Sequence, residues 1–316
     1  MTSTPDLPLI TTGALEHAGG DRRSIARAST RGSVHRVRRG VYVPAEAWRE
    51  LDAVGRYRAL CQSVSLVGRA RPVLSHWSAA AVHGLPIVGE WPREVHRLIE
   101  RTSGGRSTAE TIAHPTRLDC ADVVEMKGML VTSVARTVVD LAATSSFASA
   151  VTTADFSLHR KRPARVMKAD LYAAFEQARV TRFQRRIESV LQFSTSLADS
   201  PAESASRANL HLGGFEVPEL QREYFDADGF IGATDFAWPG YRLVGEVDGR
   251  QKYLKPEYLK GRTPGEVVYE EKVREDRLRA LSLGVVRWDW WRAIDPARLH
   301  PFLRAAGVPL RAARGR

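Results

Sequence analysis

Residues 232–249 read GATDFAWPGYRLVGEVDG, and this stretch decides how the C-terminal part of the chain is laid out. Residues 232–238 and 242–248 are rich in β-branched and aromatic side chains. Pro239-Gly240 between them is a turn signal, so the run predicts a β-hairpin. A turn centred between Gly240 and Tyr241 sets Asp235 directly across from Glu246, and facing cross-strand side chains lie close together. Alternation then puts Asp248 on the same face as Glu246. Three carboxylates crowded on a core hairpin repel one another, and a cation relieves that repulsion. Oxygen ligands of this kind suit Mg²⁺ or Mn²⁺. The plainer alternative is that such acids face water, with Asp248-Gly249 as an ordinary strand-terminating pair.

The flanks extend the pattern. Ser200-Pro201-Ala202-Glu203 has the form of a capping box, with Ser at the N-cap, Pro at N1 and Glu at N3, ahead of a helix over 204–212. In that role Glu203 is structural and Arg207, one turn on, can pair with it. A strand over 220–225 turns at Asp228-Gly229, and a long helix over 265–281 and a strand over 285–290 follow the hairpin. Trp238, Trp288, Trp290 and Trp291 lie on strand positions and read as core or interface.

The chain has 316 residues, more than a usual single domain, and divides on its sequence into 1–58, 59–195 and 196–316. Its hydrophobic content of 43% suffices for real cores, and no apolar run is long enough to span a bilayer. The opening MTSTPDLPLITTG lacks the basic and apolar regions of a signal peptide. Cys61 and Cys120 stand far apart without CxxC spacing, which argues against a disulfide scaffold or a cysteine zinc site. The expected compartment is the cytoplasm, with no membrane partner. A net charge of +11 favours a polyanion, nucleic acid before membrane.

That charge is organised near the N-terminus. Residues 11–18 read as a short helix ended by Gly19-Gly20, and Asp21 can cap a second helix over 22–29. SVHRVRRGVYV then reads as a hairpin turning at Arg38-Arg39-Gly40, completing the order of a winged helix-turn-helix. Arg22, Arg23, Arg27, Arg31, Arg36, Arg38 and Arg39 fall in this span with no acidic residue among them, which points to DNA contact rather than a solvated basic face. Arg23 and Arg27, four apart, share a helix face, and Arg38 and Arg39 would sit at the wing tip.

The middle carries less chemistry. Residues 75–84 read as an alanine-rich helix stopped by Gly84, with His76 and His83 on one face but no third ligand at useful spacing. A strand is expected over 94–100, a helix over 132–143, and helical structure over 147–195, interrupted by the basic run His159-Arg160-Lys161-Arg162. Nothing near Ser133 supplies a general base, and there is no Walker A or Rossmann glycine motif.

GDRRSIARASTRGSVHRVRRGVYVP, LSHWSAAAVHGLPI and VTSVARTVVDLAA, in that order, resemble the AbiEi-type antitoxin and regulator proteins over roughly the first 145 residues. The resemblance implies a DNA-binding winged helix, autoregulation of an operon promoter and a cognate toxin as partner. A homodimer would suit a promoter-binding regulator, although no residue marks an interface. The helix, three strands, helix, strand order of residues 200–292 resembles the restriction-endonuclease-like PD-(D/E)XK fold, near the very-short-patch repair endonucleases. The overall expectation is a multidomain α/β chain with a winged helix-turn-helix, a central α/β region and a nuclease-like domain.

Carried over by position, Asp235 and Glu246 match the two motif acids and Glu203 the helical glutamate; EVDG, EEKVREDRLRAL and VVRW match the branch. Asp248 stands where the motif lysine is expected, Thr234 replaces the usual proline, and Lys252 stands near a position often held by histidine. The resemblance then implies Mg²⁺ or Mn²⁺ on Asp235, Glu246 and Asp248, with Lys252, or Lys272 on the long helix, orienting the attack. Arg250, Lys255, Lys260, Arg262 and Arg274 would supply charge to the DNA backbone. The competing reading is a non-catalytic regulator that keeps the fold for binding alone.

Overall fold

The computed structural model describes residues 7–17, 21–67, 71–102, 106–118, 122–248 and 263–312. The chain is mixed α/β with three sheets and forms two compact units. One comprises Met1–Leu85, Glu90–Ala143 and Ala169–Gln184; the other comprises Pro86–Gly89, Thr144–Lys168 and Arg185–Arg316.

The first unit begins with β1 (Ile10–Thr11), α1 (Thr12–His17), α2 (Arg22–Thr30), β2 (Val34–Arg38) and β3 (Val41–Pro44). Asp21 caps α2 as its sequence position predicts, its Oδ1 accepting the Arg23 N–H at 3.0 Å. The strands pair antiparallel in the order β1-β3-β2, and the hairpin turns at Arg39-Gly40, where Gly40 supplies a φ of +79°. Ile25, Val41 and Val43 are its buried side chains.

After α3 (Ala45–Glu50) and α4 (Ala53–Val67), a five-stranded sheet forms from β4 (Val73–Leu74), β5 (Val95–Glu100), β6 (Thr111–Thr116), β7 (Val123–Met126) and β8 (Met129–Thr132), in the order β6-β5-β4-β8-β7. α5 (His76–His83) ends at Gly84 in the left-handed conformation, and α6 (Val134–Thr144) follows β8. Tyr57, Cys61, Leu74, Ala79, Val95 and Val131 belong to the core of this unit. Burial pushes the Cys61 thiol up to about 12, so it packs as a small hydrophobe rather than reacting.

The chain continues through α7 (Phe147–Leu158), α8 (Lys168–Ala178) and α9 (Gln184–Phe193), most of α8 belonging to the first unit. The second unit is built from α7, α9, α10 (Pro201–Leu212), β9 (Glu219–Asp226), β10 (Gly229–Trp238), β11 (Leu243–Asp248), α11 (Pro264–Ala280), β12 (Gly284–Asp289), α12 (Trp290–Ala293) and α13 (Pro296–Ala305). Residues 144–168, which the sequence groups with the central segment, pack here because Asp155 on α7 meets Arg207 on α10 in a buried ion pair of 2.8 Å. Arg207, which the sequence offers to Glu203, is thus held by Asp155.

The sheet order is β12-β11-β10-β9; β11 and β12 are parallel, with α11 between them in sequence, and the other pairs are antiparallel. The predicted hairpin closes through a 3₁₀ turn at Pro239–Tyr241 with Trp238 opposite Leu243 and Phe236 opposite Gly245. Trp238 and Trp288 are buried in the core, and their indole N–H groups donate to Glu216 O at 3.0 Å and Ser206 Oγ at 2.8 Å. Trp291 is exposed. Among the described residues no helix is long and apolar enough to cross a membrane.

Gly245 makes room for this packing, since a Cβ there would lie 2.8 Å from the Trp288 ring. Gly245→Ala is expected to destabilise the chain by about 1–3 kcal/mol through overpacking. The urea unfolding midpoint measures it, and an unchanged midpoint would show that the indole can shift freely.

Candidate functional site

The sheet of the second unit gathers the acids that the sequence singles out. Thr234 pairs with Arg222 and Phe236 with Leu220, so Asp235 lies across from Gln221 on β9. On its other side the Phe236–Gly245 pairing runs on to Asp235 and Glu246, and Glu246 pairs with Arg287 on β12. Gln221, Asp235, Glu246 and Arg287 thus form one row across four strands. Glu203 joins this row from the first turn of α10, where its Oε2 accepts the Gln221 side-chain amide at 3.0 Å and the Asp199 N–H at 2.9 Å. The Ser200 Oγ accepts the Glu203 N–H at 3.2 Å, which is half of the predicted capping box. The Glu203 carboxylate reaches back one residue past the cap, to Asp199.

Each hairpin acid also has a protein partner. Asp235 Oδ2 accepts the Val247 N–H at 2.8 Å, extending the ladder beyond Phe236–Gly245 by a side chain. Glu246, buried at 8% exposure, is held by Arg274 of α11, with contacts of 2.8 Å to Oε1 and 3.2 Å to Oε2. Asp248 accepts from Arg287 at 3.1 Å. Arg274 passes over Gly232, where a Cβ would lie 2.6 Å from its Nε; the glycine sits at a φ of +148°. The cation at Glu246 is thus a guanidinium 28 residues away in sequence.

Lys272 is exposed on α11, two residues and so about 200° around the helix from Arg274. Lys252, Arg250, Lys255, Lys260 and Arg262 lie outside the described residues. Among the described residues no group of three or more His, Cys, Asp or Glu side chains is arranged to hold a metal ion. With both Glu246 oxygens engaged by Arg274, the arrangement does not fit an ion at that carboxylate.

In the first unit, Arg23, Arg27, Arg31, Arg36 and Arg39 are exposed, Arg23 and Arg27 on α2 and Arg36 on β2. The backbone of Arg22 opens α2. Arg38 is drawn aside: its Nη2 lies 2.6 Å from Glu110 Oε2, leaving Arg39 as the arginine in the turn. In the second unit, the basic run after α7 is engaged by Asp199, with His159 Nε2 at 2.9 Å and Lys161 Nζ at 2.6 Å from its carboxylate.

The histidines sort differently from their spacing. His83 Nε2 meets the Thr132 carbonyl at 2.7 Å. His76 instead stacks on His114 of β6 at 3.6 Å between ring centroids, and His114 Nε2 lies 2.9 Å from His96 Nδ1 on β5. Burial holds His96 and His114 down to about 4, and burial with the neighbouring rings lowers His76 well below the usual imidazole range. Asp140 of α6 lies 3.8 Å from His76 Nδ1 and accepts from Arg136 at 2.9 Å. Sequence spacing hides this cluster because its members come from a helix and two parallel strands.

No family model matches the chain. It is 30% identical over 233 residues to the uncharacterized proteins Rv2248 and MT2308 of Mycobacterium tuberculosis, a match covering 73% of this chain and 80% of each relative. The chain belongs to the family of these mycobacterial proteins. Among solved structures, the RV2827C protein of M. tuberculosis aligns at 17% identity and a TM-score of 0.38 over 63% of this chain and 74% of its own, a likeness too slight to carry an argument.

Arg274→Met leaves Glu246 without its cation inside the sheet and is expected to destabilise the chain by about 3 kcal/mol. Glu246→Gln in the same chain should restore part of the loss, and additive losses in the double variant would show that the two side chains do not interact. The histidines give a pH dependence of definite sign. Between about pH 4 and pH 6.5 the unfolded chain takes up protons that His96 and His114 refuse when folded. Their contribution to stability is complete above that window and is lost as pH falls through it. The fall in unfolding midpoint from pH 7 to pH 4.5 should therefore be shallower in a His96→Gln, His114→Gln double variant; equal falls would show that these rings titrate normally in the fold.

Proposed function

We propose that the chain is a DNA-binding protein, contacting the phosphate backbone through the arginines of α2 and the β2–β3 hairpin. The observation that carries this is the set of five exposed arginines, Arg23, Arg27, Arg31, Arg36 and Arg39, in a span without a single acid. Guanidinium groups bind phosphate with fixed fork geometry, and a segment without internal counter-charge is electrostatically poised for a polyanion. The helix, helix, hairpin order supports a winged helix-turn-helix. The resemblance of the first 145 residues to AbiEi-type proteins supports a regulator with a toxin partner.

In the second unit the geometry supports a non-catalytic, nuclease-like fold better than a working nuclease, because Arg274 engages both oxygens of Glu246 and Arg287 contacts Asp248. The reading as a Mg²⁺- or Mn²⁺-dependent endonuclease keeps one observation in its favour. Glu203, Asp235 and Glu246 converge on a single row of the sheet.

Binding of a labelled duplex, followed over a salt series, tests the first reading. The slope of log affinity against log salt should shrink by about 0.9 for each phosphate contact removed. Arg23→Gln, Arg27→Gln, Arg31→Gln should therefore lower both affinity and slope, while a slope unchanged by the triple variant would reject this surface. Supercoiled plasmid incubated with Mg²⁺, Mn²⁺ or EDTA is expected to stay intact. Metal-dependent nicking abolished in Asp235→Asn, Glu246→Gln would instead establish the nuclease.

A further inference from the structure

The first unit contains a cavity of about 630 Å³ that the DNA-binding reading does not use. Its floor is the polar cluster described above: His76 stacked on His114, with Asp140 held by Arg136. Leu98 and Val139 add apolar wall, and Arg101, Arg117, Arg179 and Arg182 line it further. Asp140 is the only carboxylate among its described lining residues, and Arg136 already engages it. The remaining charge of the lining is positive. The volume falls within the range of roughly 300–1,000 Å³ typical of small-molecule sites, and the lining is mainly polar, with five arginines beside a short apolar wall.

Backbone strain gathers at the same place. Among the described residues seven non-glycine residues have positive φ, and three of them line this cavity: His76 at 52°, Arg179 at 47° and Phe183 at 63°. Each such residue costs on the order of 1–3 kcal/mol and persists only where the surroundings hold it, a pattern associated with binding and switch sites. His76 is buried in this conformation, at the first turn of α5. Phe183, by contrast, is 57% exposed, an aromatic face at the edge of the cavity without the burial that normally accounts for one.

We infer that this cavity binds a small phosphorylated molecule that carries a planar ring, of about mononucleotide size. Arginine forks match phosphate oxygens, and here they line one cavity from the residues just after β5, β6 and α8. The half-buried His114 ring and the exposed Phe183 ring offer flat, polarisable surfaces to a heterocycle. The volume of the site suits a free small molecule of that size. It does not depend on whether the arginines of α2 bind DNA. If they do, a ligand here would act on the same unit and could serve as an effector.

Isothermal titration of the full chain with AMP, inorganic phosphate and uncharged adenosine tests the inference. AMP should bind saturably at one site, phosphate more weakly, and adenosine least. Arg101→Gln, Arg179→Gln should weaken AMP by about tenfold or more, the worth of a lost charge-assisted hydrogen bond. These exposed positions should leave the thermal midpoint without ligand unchanged. His114→Gln should weaken AMP more than inorganic phosphate, since only AMP presents a ring. Absence of AMP binding, or equal affinity in the double arginine variant and the parent chain, overturns the proposal. So does displacement of AMP by short duplex DNA with the double variant losing both, since the arginines would then be a nucleic-acid surface.

Discussion

The buried ion pair between Asp155 and Arg207 is the constraint on which the second unit depends. Asp155 is fully buried, and its carboxylate accepts from Arg207 at 2.8 and 3.0 Å and from the Thr195 N–H at 2.7 Å. Arg207 also donates to the Phe193 carbonyl at 2.8 Å and lies over the Phe193 ring. The pair thereby fastens α7, the end of α9 and α10 into one layer. Burying two charges is expensive, and the attraction offsets that only when nearly every remaining lone pair and proton is satisfied. Such an arrangement specifies one packing of the three helices and penalises any other. From the same helix Glu203 reaches the sheet through Gln221, so the ion pair fixes where the acid row meets α10.

Much of this unit was legible in its sequence, and the reason is local. Pro239-Gly240 fixed the turn, the turn fixed the register, and the register placed Asp235 beside Glu246. Ser200-Pro201 announced the start of α10 in the same way, and Gly84 the end of α5. What was not legible depends on residues far apart in the chain. In the sequence Arg274 reads as a cation for the DNA backbone; the fold sends it across Gly232 to Glu246. Helical spacing sets His76 on one face with His83, whereas its neighbours His96 and His114 are brought by parallel strand pairing. Most strands of the five-stranded sheet are too short and too little alternating in polarity to leave a periodic signal in the sequence.

The acid row and the arginines opposing it form a single electrostatic arrangement. Arg277 grips both oxygens of Asp226 and approaches the carbonyls of Gly229 and Phe230. Arg274 takes Glu246, and Arg287 meets Asp248, Glu271 and Glu275. Charges that look in the sequence like a motif for binding phosphate or metal are, in the fold, largely complementary to one another. This complementarity is why the arginines of α2, which lie in an acid-free span, carry the functional argument.

The way α11 is attached has a thermal consequence. Leu278 is its buried apolar side chain among those described, while three arginines join it to the sheet or are joined by it. A helix seated on guanidinium contacts exposes little hydrocarbon when it lifts, so its release carries a small heat-capacity change. Dissolved ions screen its outer contacts, Arg287 with Glu271 and Glu275, more than the buried Arg274–Glu246 pair. The outer edge of this helix is therefore the part whose hold on the sheet responds to salt, while the Arg274–Glu246 pair keeps its middle fastened to β11.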